Sequence, residues 1–229
     1  MLDQLSHSRP LVLTILIGVL LVPLVILLNS YSPPVDKAPE GYNSVIIAFE
    51  FASNDQELLE VLSPLSLKEV NGLDTLNKVD FVFMLLYGAF LLSIVIKFKG
   101  LHQHPWLKYA AGIIFLIVAA DFLENLQLLK LTEAYKAGAS SYIDIINQLV
   151  VFTWLKWILL ALVIGMIGTS LILANRYKWV GYALFIPIVL GVSAISIQTP
   201  MIEDTFGTSI FMCFMIIWLL SIFYKRTTA

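Results

Sequence analysis

The chain has 229 residues, 59% of them hydrophobic and 13% charged, with a formal net charge of −2 and a mean hydropathy of +0.87. So little charge excludes an ordinary soluble domain and leaves no basic patch for nucleic acid. The lone cysteine, Cys213, excludes an intramolecular disulfide, a thiolate metal site and dithiol redox chemistry. The fold class that remains is all-α, a polytopic membrane helix bundle.

The first span is predicted at Leu11 to Leu28, after a short leader with one Arg. No small-x-small cleavage site closes it, so it reads as an uncleaved anchor. Asn29 to Lys78 follows as the one segment large enough to fold outside the bilayer. It opens extended, with Pro33, Pro34 and Pro39. From Tyr42 the residues Ala48, Phe51, Ala52, Leu58, Leu59 and Leu62 recur at helical spacing until Pro64. Ser53 with Gln56 and Asn54 with Glu57 each fit a capping box, which predicts two short helices meeting near Ser53 with their apolar face on the bundle mouth. Ser66 with Glu69 would start a further short turn, closed by Gly72, with Asp74 capping the second span. Glu50 stands between Phe49 and Phe51; it is either part of a solvated helix face or directed into the bundle mouth.

The second span, Val79 to Ile96, carries Asp80 one turn inside it. The third, Trp106 to Leu128, contains Asp121, Glu124 and Asn125, whose spacing places them on one helix face. A carboxylate in a span costs roughly 2.5 to 3.5 kcal/mol on insertion scales, so an intramembrane acid marks a candidate functional site. At ~1.5 Å per residue, Asp121 lies about 22 Å along its helix from Trp106, some 8 Å short of the far hydrocarbon edge. The fourth span, Leu149 to Leu173, holds Lys156 at about 10 Å from that same edge. Equal depth on sequential antiparallel spans predicts that Lys156 pairs with Asp121 or Glu124. That pair is either a structural lock on helix register or part of a working site, and the surplus of acids over bases argues for acid-base chemistry, proton coupling or a hard cation.

The last two spans are predicted at Trp179 to Ile197 and Phe206 to Phe223, joined by a turn, Thr199 to Thr205, that places Glu203 and Asp204 at the rim of the same cluster. Pro23 and Pro187 should kink the first and fifth spans. Gly181, Gly191, Ser193, Ser196 and Gln198 would let the fifth span either line a cavity or pack closely. Ala161, Gly165 and Thr169 form a small-xxx-small stripe suited to helix packing. His102 and His104 make an incomplete zinc site, and no metal is assigned. No phosphate-binding glycine loop or nucleophile elbow is present, so no cofactor is expected.

Arg9, Lys97, Lys99, Lys108, Arg176, Lys178, Lys225 and Arg226 fall on one side of the spans, with Asp3 as the one acid there. The positive-inside rule then puts both termini in the cytoplasm.

The combination Phe49-Glu50-Phe51-Ala52, Asp80-Phe81-Val82-Phe83-Met84-Leu85-Leu86-Tyr87 and Asp121-x-x-Glu124-Asn125 resembles a set of uncharacterised bacterial multi-pass membrane proteins. The resemblance implies that Glu50, Asp80, Asp121, Glu124 and Asn125 form a unit, and it implies no particular reaction. The leading expectation is an integral protein of the bacterial inner membrane that binds or modifies an isoprenoid-like lipid. Asp121 and Glu124 would be its acid-base pair, Asp80 and Glu50 further carboxylates, and Asn125 and Lys156 orienting groups. A proton- or cation-coupled transporter is the alternative, and an accessory subunit, as a homo-oligomer or with a membrane-complex partner, is a third.

Overall fold

A computed structural model describes residues 2–102, 104, 106–175 and 177–223. Its elements in chain order are α1 (Leu2–Tyr31), α2 (Val45–Phe51), α3 (Asp55–Leu62), α4 (Leu67–His102), α5 (Leu107–Lys136), α6 (Ile143–Leu173), α7 (Lys178–Ala183), α8 (Ile186–Ile197) and α9 (Pro200–Phe223). Six stretches are long and apolar enough to cross a membrane, α7 and α8 together making the fifth. Of the bases in the orientation argument, Arg176, Lys225 and Arg226 lie outside the described residues, as do the side chains of Arg9 and His102.

Several boundaries differ from expectation for physical reasons. The capping box at Ser66 and Glu69 starts α4 itself: the Glu69 carboxylate accepts from the Ser66 backbone N–H at 2.7 Å and from its hydroxyl at 2.6 Å. The helix then runs unbroken through Gly72 and the polar stretch up to Lys78. Asp74 caps nothing; it accepts from Thr132 at 2.5 Å and pairs with Lys136 at 2.5 Å. Likewise α9 begins at Pro200, so the turn from α8 shrinks to Gln198, in the left-handed region at φ 48°, and Thr199. A 3-10 turn at Val35–Lys37 interrupts the extended proline segment.

Between the spans, α3 forms on its expected cap, Asn54 with Glu57. Gln56 turns to Glu60 at 2.9 Å instead of Ser53, and α2 starts from Ser44, a cap that sequence reasoning did not single out. Ser44 caps α2 and Asn54 caps α3, accepting from Glu57 N–H at 3.0 Å, and Glu57 reaches back to Ser53 N–H at 2.8 Å. Both helices sit on the ends of α4, α5 and α6 through an apolar cluster that includes Phe49, Leu58, Leu62, Leu73, Leu131 and Ile146. Leu59, placed on that face by periodicity, is 39% exposed. Each large side chain taken out of water here contributes about 1.5 to 3 kcal/mol.

Within the bilayer region that driving force is absent, and close approach takes its place. At the crossing of α6 and α7, a Cβ on Gly168 would lie 2.6 Å from the Gly181 carbonyl oxygen, so only glycine fits. On the stripe itself a Cβ at Gly165 would lie 2.5 Å from Ile188 Cδ1 of α8, so the stripe is a packing face. The fifth span is too: Ser193 and Ser196 hydroxyls donate to backbone oxygens of their own helix, at 3.0 and 2.8 Å. It breaks at Leu184 and Phe185, just ahead of Pro187, while α1 continues as one helix through Pro23. In the bundle α5 packs between α4 and α6, α8 pairs with α9, and α1 lies across α4 and α9.

Candidate functional site

One turn of α5, Asp121 to Asn125, and one of α6, Thr153 to Trp157, meet Glu50 of α2 and Asp80 and Tyr87 of α4 and bring the polar groups together. Lys156 reaches Glu50 at 2.9 Å, Asp121 at 3.5 Å, and Glu124 in a close ion pair. The expected pairing across α5 and α6 is thus present, and the ammonium has a third acid from outside the two spans. Glu50 is directed into the bundle from α2; the solvated-face alternative does not hold. Its carboxylate also accepts from Trp157 Nε1 at 3.1 Å, and the Lys156 ammonium stands 4.9 Å from the centre of the Trp157 ring.

Each of the four carboxylates has one neutral donor. Trp157 serves Glu50, Thr153 serves Glu124 at 2.6 Å, Tyr87 serves Asp121 at 2.5 Å, and Asn125 serves Asp80 at 2.6 Å. Thr153 also donates to the Glu50 carbonyl oxygen at 3.1 Å, which ties the last turn of α2 to α6. These bonds satisfy the carboxyl oxygens that a single ammonium, shared by Glu50, Asp121 and Glu124, cannot serve alone. Of the four, Asp80 alone has no ion pair among the described residues. Among the described residues no three His, Cys, Asp or Glu side chains are arranged to hold a metal ion.

The cluster is the polar floor of a cavity of about 370 Å³. Glu50, Asp80, Tyr87, Asp121, Lys156 and Trp157 line the floor, and Glu124, Asn125 and Thr153 stand behind it. Glu124, expected as half of an acid-base pair, is wholly buried and does not face the cavity. The walls are apolar: Leu21, Val22 and Val25 of α1, Phe83 and Phe90 of α4, Ile210 and Phe214 of α9. Val22, Ile26, Phe211 and Met215 line the cavity and are also exposed on the outside of the bundle, so it opens sideways between α1 and α9. Below that opening the two helices touch at Gly18, where a Cβ would come within 2.2 Å of Trp218 Nε1.

Glu203 and Asp204 do not join the cluster. Glu203 accepts from the Tyr42 hydroxyl, and Asp204 accepts from Asn43 through its backbone N–H at 3.0 Å and its side chain at 2.9 Å. They latch the segment before α2 to the start of α9. Burial, reinforced by Glu203, pushes the Tyr42 hydroxyl well above its ordinary pKa.

Sequence reasoning missed Tyr87, Thr153 and Trp157 as members of the site. A signal existed: Tyr87 lies seven residues after Asp80, two turns along the same face, and Thr153 lies three residues before Lys156 and four before Trp157. No protein-family model matches this chain, and neither a curated protein nor a solved structure matches it, so the assignment of the site stands on its geometry.

Proposed function

We propose that this multi-pass membrane protein takes an amphiphilic lipid sideways from the bilayer, lays its chain between α1, α4 and α9, and holds its head group against Glu50, Asp80, Asp121 and Lys156. The observation that carries this reading is the division of one cavity into an apolar wall open toward lipid and a charged floor. Its volume, about 370 Å³, falls at the small end of ligand pockets. Asp121, held by Tyr87 and Lys156, is placed to exchange a proton with a bound head group, and Glu124 fixes the ammonium from behind. Transport fits less well, because the polar floor occupies one end of an otherwise apolar cavity and offers no polar path across the bundle.

The bacterial inner membrane, with both termini cytoplasmic and the cavity in the outer leaflet half, accords with the Lys and Arg pattern. Cysteine labelling of residue 55 from outside intact cells supports that orientation, and labelling of residue 103 there reverses it. The binding reading is tested with protein reconstituted in nanodiscs. Mass spectrometry should find one lipid class enriched over the bulk bilayer, and Asp121→Asn should lose it while keeping the wild-type melting temperature. A lipid complement identical to the bulk overturns the reading.

A further inference from the structure

The charge balance on the cavity floor names the kind of head group. Glu50, Asp121 and Glu124 share one ammonium, Lys156, and Asp80 adds a fourth carboxyl group to the same floor. That ammonium is committed toward Glu124 and Glu50, with Asp121 farther off at 3.5 Å. None of the four neutral donors brings a compensating charge. Asp80, on the cavity floor, has only the Asn125 amide, at 2.6 Å, among the described residues. A phosphate or carboxylate head placed there would meet acids before it met a base, and a neutral head would leave the surplus uncompensated. No metal ion is offered a ligand set among the described residues.

Resting on the reading that the cavity binds an amphiphile, we propose that its ligand carries a cationic, hydrogen-bond-donating head, an alkylammonium, seated between Asp80 and Asp121. The ammonium completes the neutralisation that Lys156 begins, and its N–H groups find oxygens on two different helices, α4 and α5. Trp157 and Tyr87 border the same space and add aromatic faces suited to a cation.

The test uses three probes with one chain, 11-bromoundecylamine, 11-bromoundecanol and 11-bromoundecanoate, added at pH 7.5 to the full chain in phosphatidylcholine nanodiscs. Trp157 and Trp218 line the cavity, so saturable quenching of tryptophan fluorescence by the bromine reports occupancy. The amine should bind at least about tenfold more tightly than the alcohol, equivalent to ~1.4 kcal/mol, with the carboxylate weakest. Asp80→Asn should reduce the preference for the amine over the alcohol to about twofold or less. Alcohol binding equal to amine binding, or a preference for the carboxylate, overturns the cationic head while leaving an amphiphile site in place. Absence of saturable quenching by all three probes overturns the amphiphile site itself. Because the comparison of probes is made on the wild-type chain, it decides the matter even if Asp80→Asn fails to fold.

Discussion

Replacing Lys156 by Met removes the one base from the cluster while keeping most of the side chain's volume. Glu124, 0% exposed, then loses its ion pair, and Glu50 and Asp121 lose theirs at side-chain exposures of 13% and 4%. Stranding a buried charge by deleting its partner costs about 3 to 5 kcal/mol. At ~2 to 4 °C per kcal/mol for a chain of this size, the melting temperature should fall by roughly 6 to 20 °C. Cys213 makes the assay direct: it is the chain's single cysteine and is 3% exposed in α9, so a thiol-reactive dye reports unfolding without labelling the native protein. Adding Glu124→Gln and Glu50→Gln to Lys156→Met should recover at least half of the loss, since it removes two of the three carboxylates that the substitution strands. A folded Lys156→Met variant melting within about 2 °C of wild type, well below that interval, would refute the ion-pair account.

Two further outcomes are expected. Gly18→Ala puts a methyl 2.2 Å from Trp218 Nε1 and should cost ~1 to 3 kcal/mol in overpacking, reduce lipid retention, and be rescued by Trp218→Phe; an unchanged melting temperature counts against the α1 and α9 contact. Tyr42 keeps its proton in the folded chain above the ordinary tyrosine value of ~10. Its contribution is therefore complete below that pH and declines only as pH rises further. The wild-type minus Tyr42→Phe absorbance difference should show no tyrosinate step between about pH 9.5 and 11, and a step there refutes the latch with Glu203.

Much of the site was legible because charge inside an apolar run is rare. Asp121, Glu124 and Asn125 stand out by spacing, and Lys156 by depth. Glu50 was not decided, because a carboxylate between two phenylalanines suits either a wet helix face or a buried pair, and only the seating of α2 distinguishes them. Tyr87, Thr153 and Trp157 were hidden by being neutral: an aromatic or a threonine in a span reads as packing until its donor is seen to meet an acid. The cavity walls were not legible at all, since hydropathy records that α1 and α9 cross the bilayer and says nothing of which helices they touch. The early start of α4 was missed because Lys68, Glu69, Asn71 and Asp74 look like loop, whereas Lys37 and Lys136 satisfy Glu69 and Asp74 from neighbouring elements.

The location of the single base on α6 has a consequence for how the chain is made. During synthesis α5 reaches the membrane first, carrying Asp121 and Glu124, and it has the lowest hydropathy of the six spans, 1.8. Its acids wait for Lys156, and Glu124 for Thr153 as well, both supplied by the next helix after a short connection. A nascent chain arrested before α6 would hold α5 at the translocon or lose it to the aqueous side, at a cost of roughly 2.5 to 3.5 kcal/mol per unpaired carboxylate. Pairing of Asp121 and Glu124 with Lys156 offsets that cost, which favours insertion of α5 and α6 together as a hairpin.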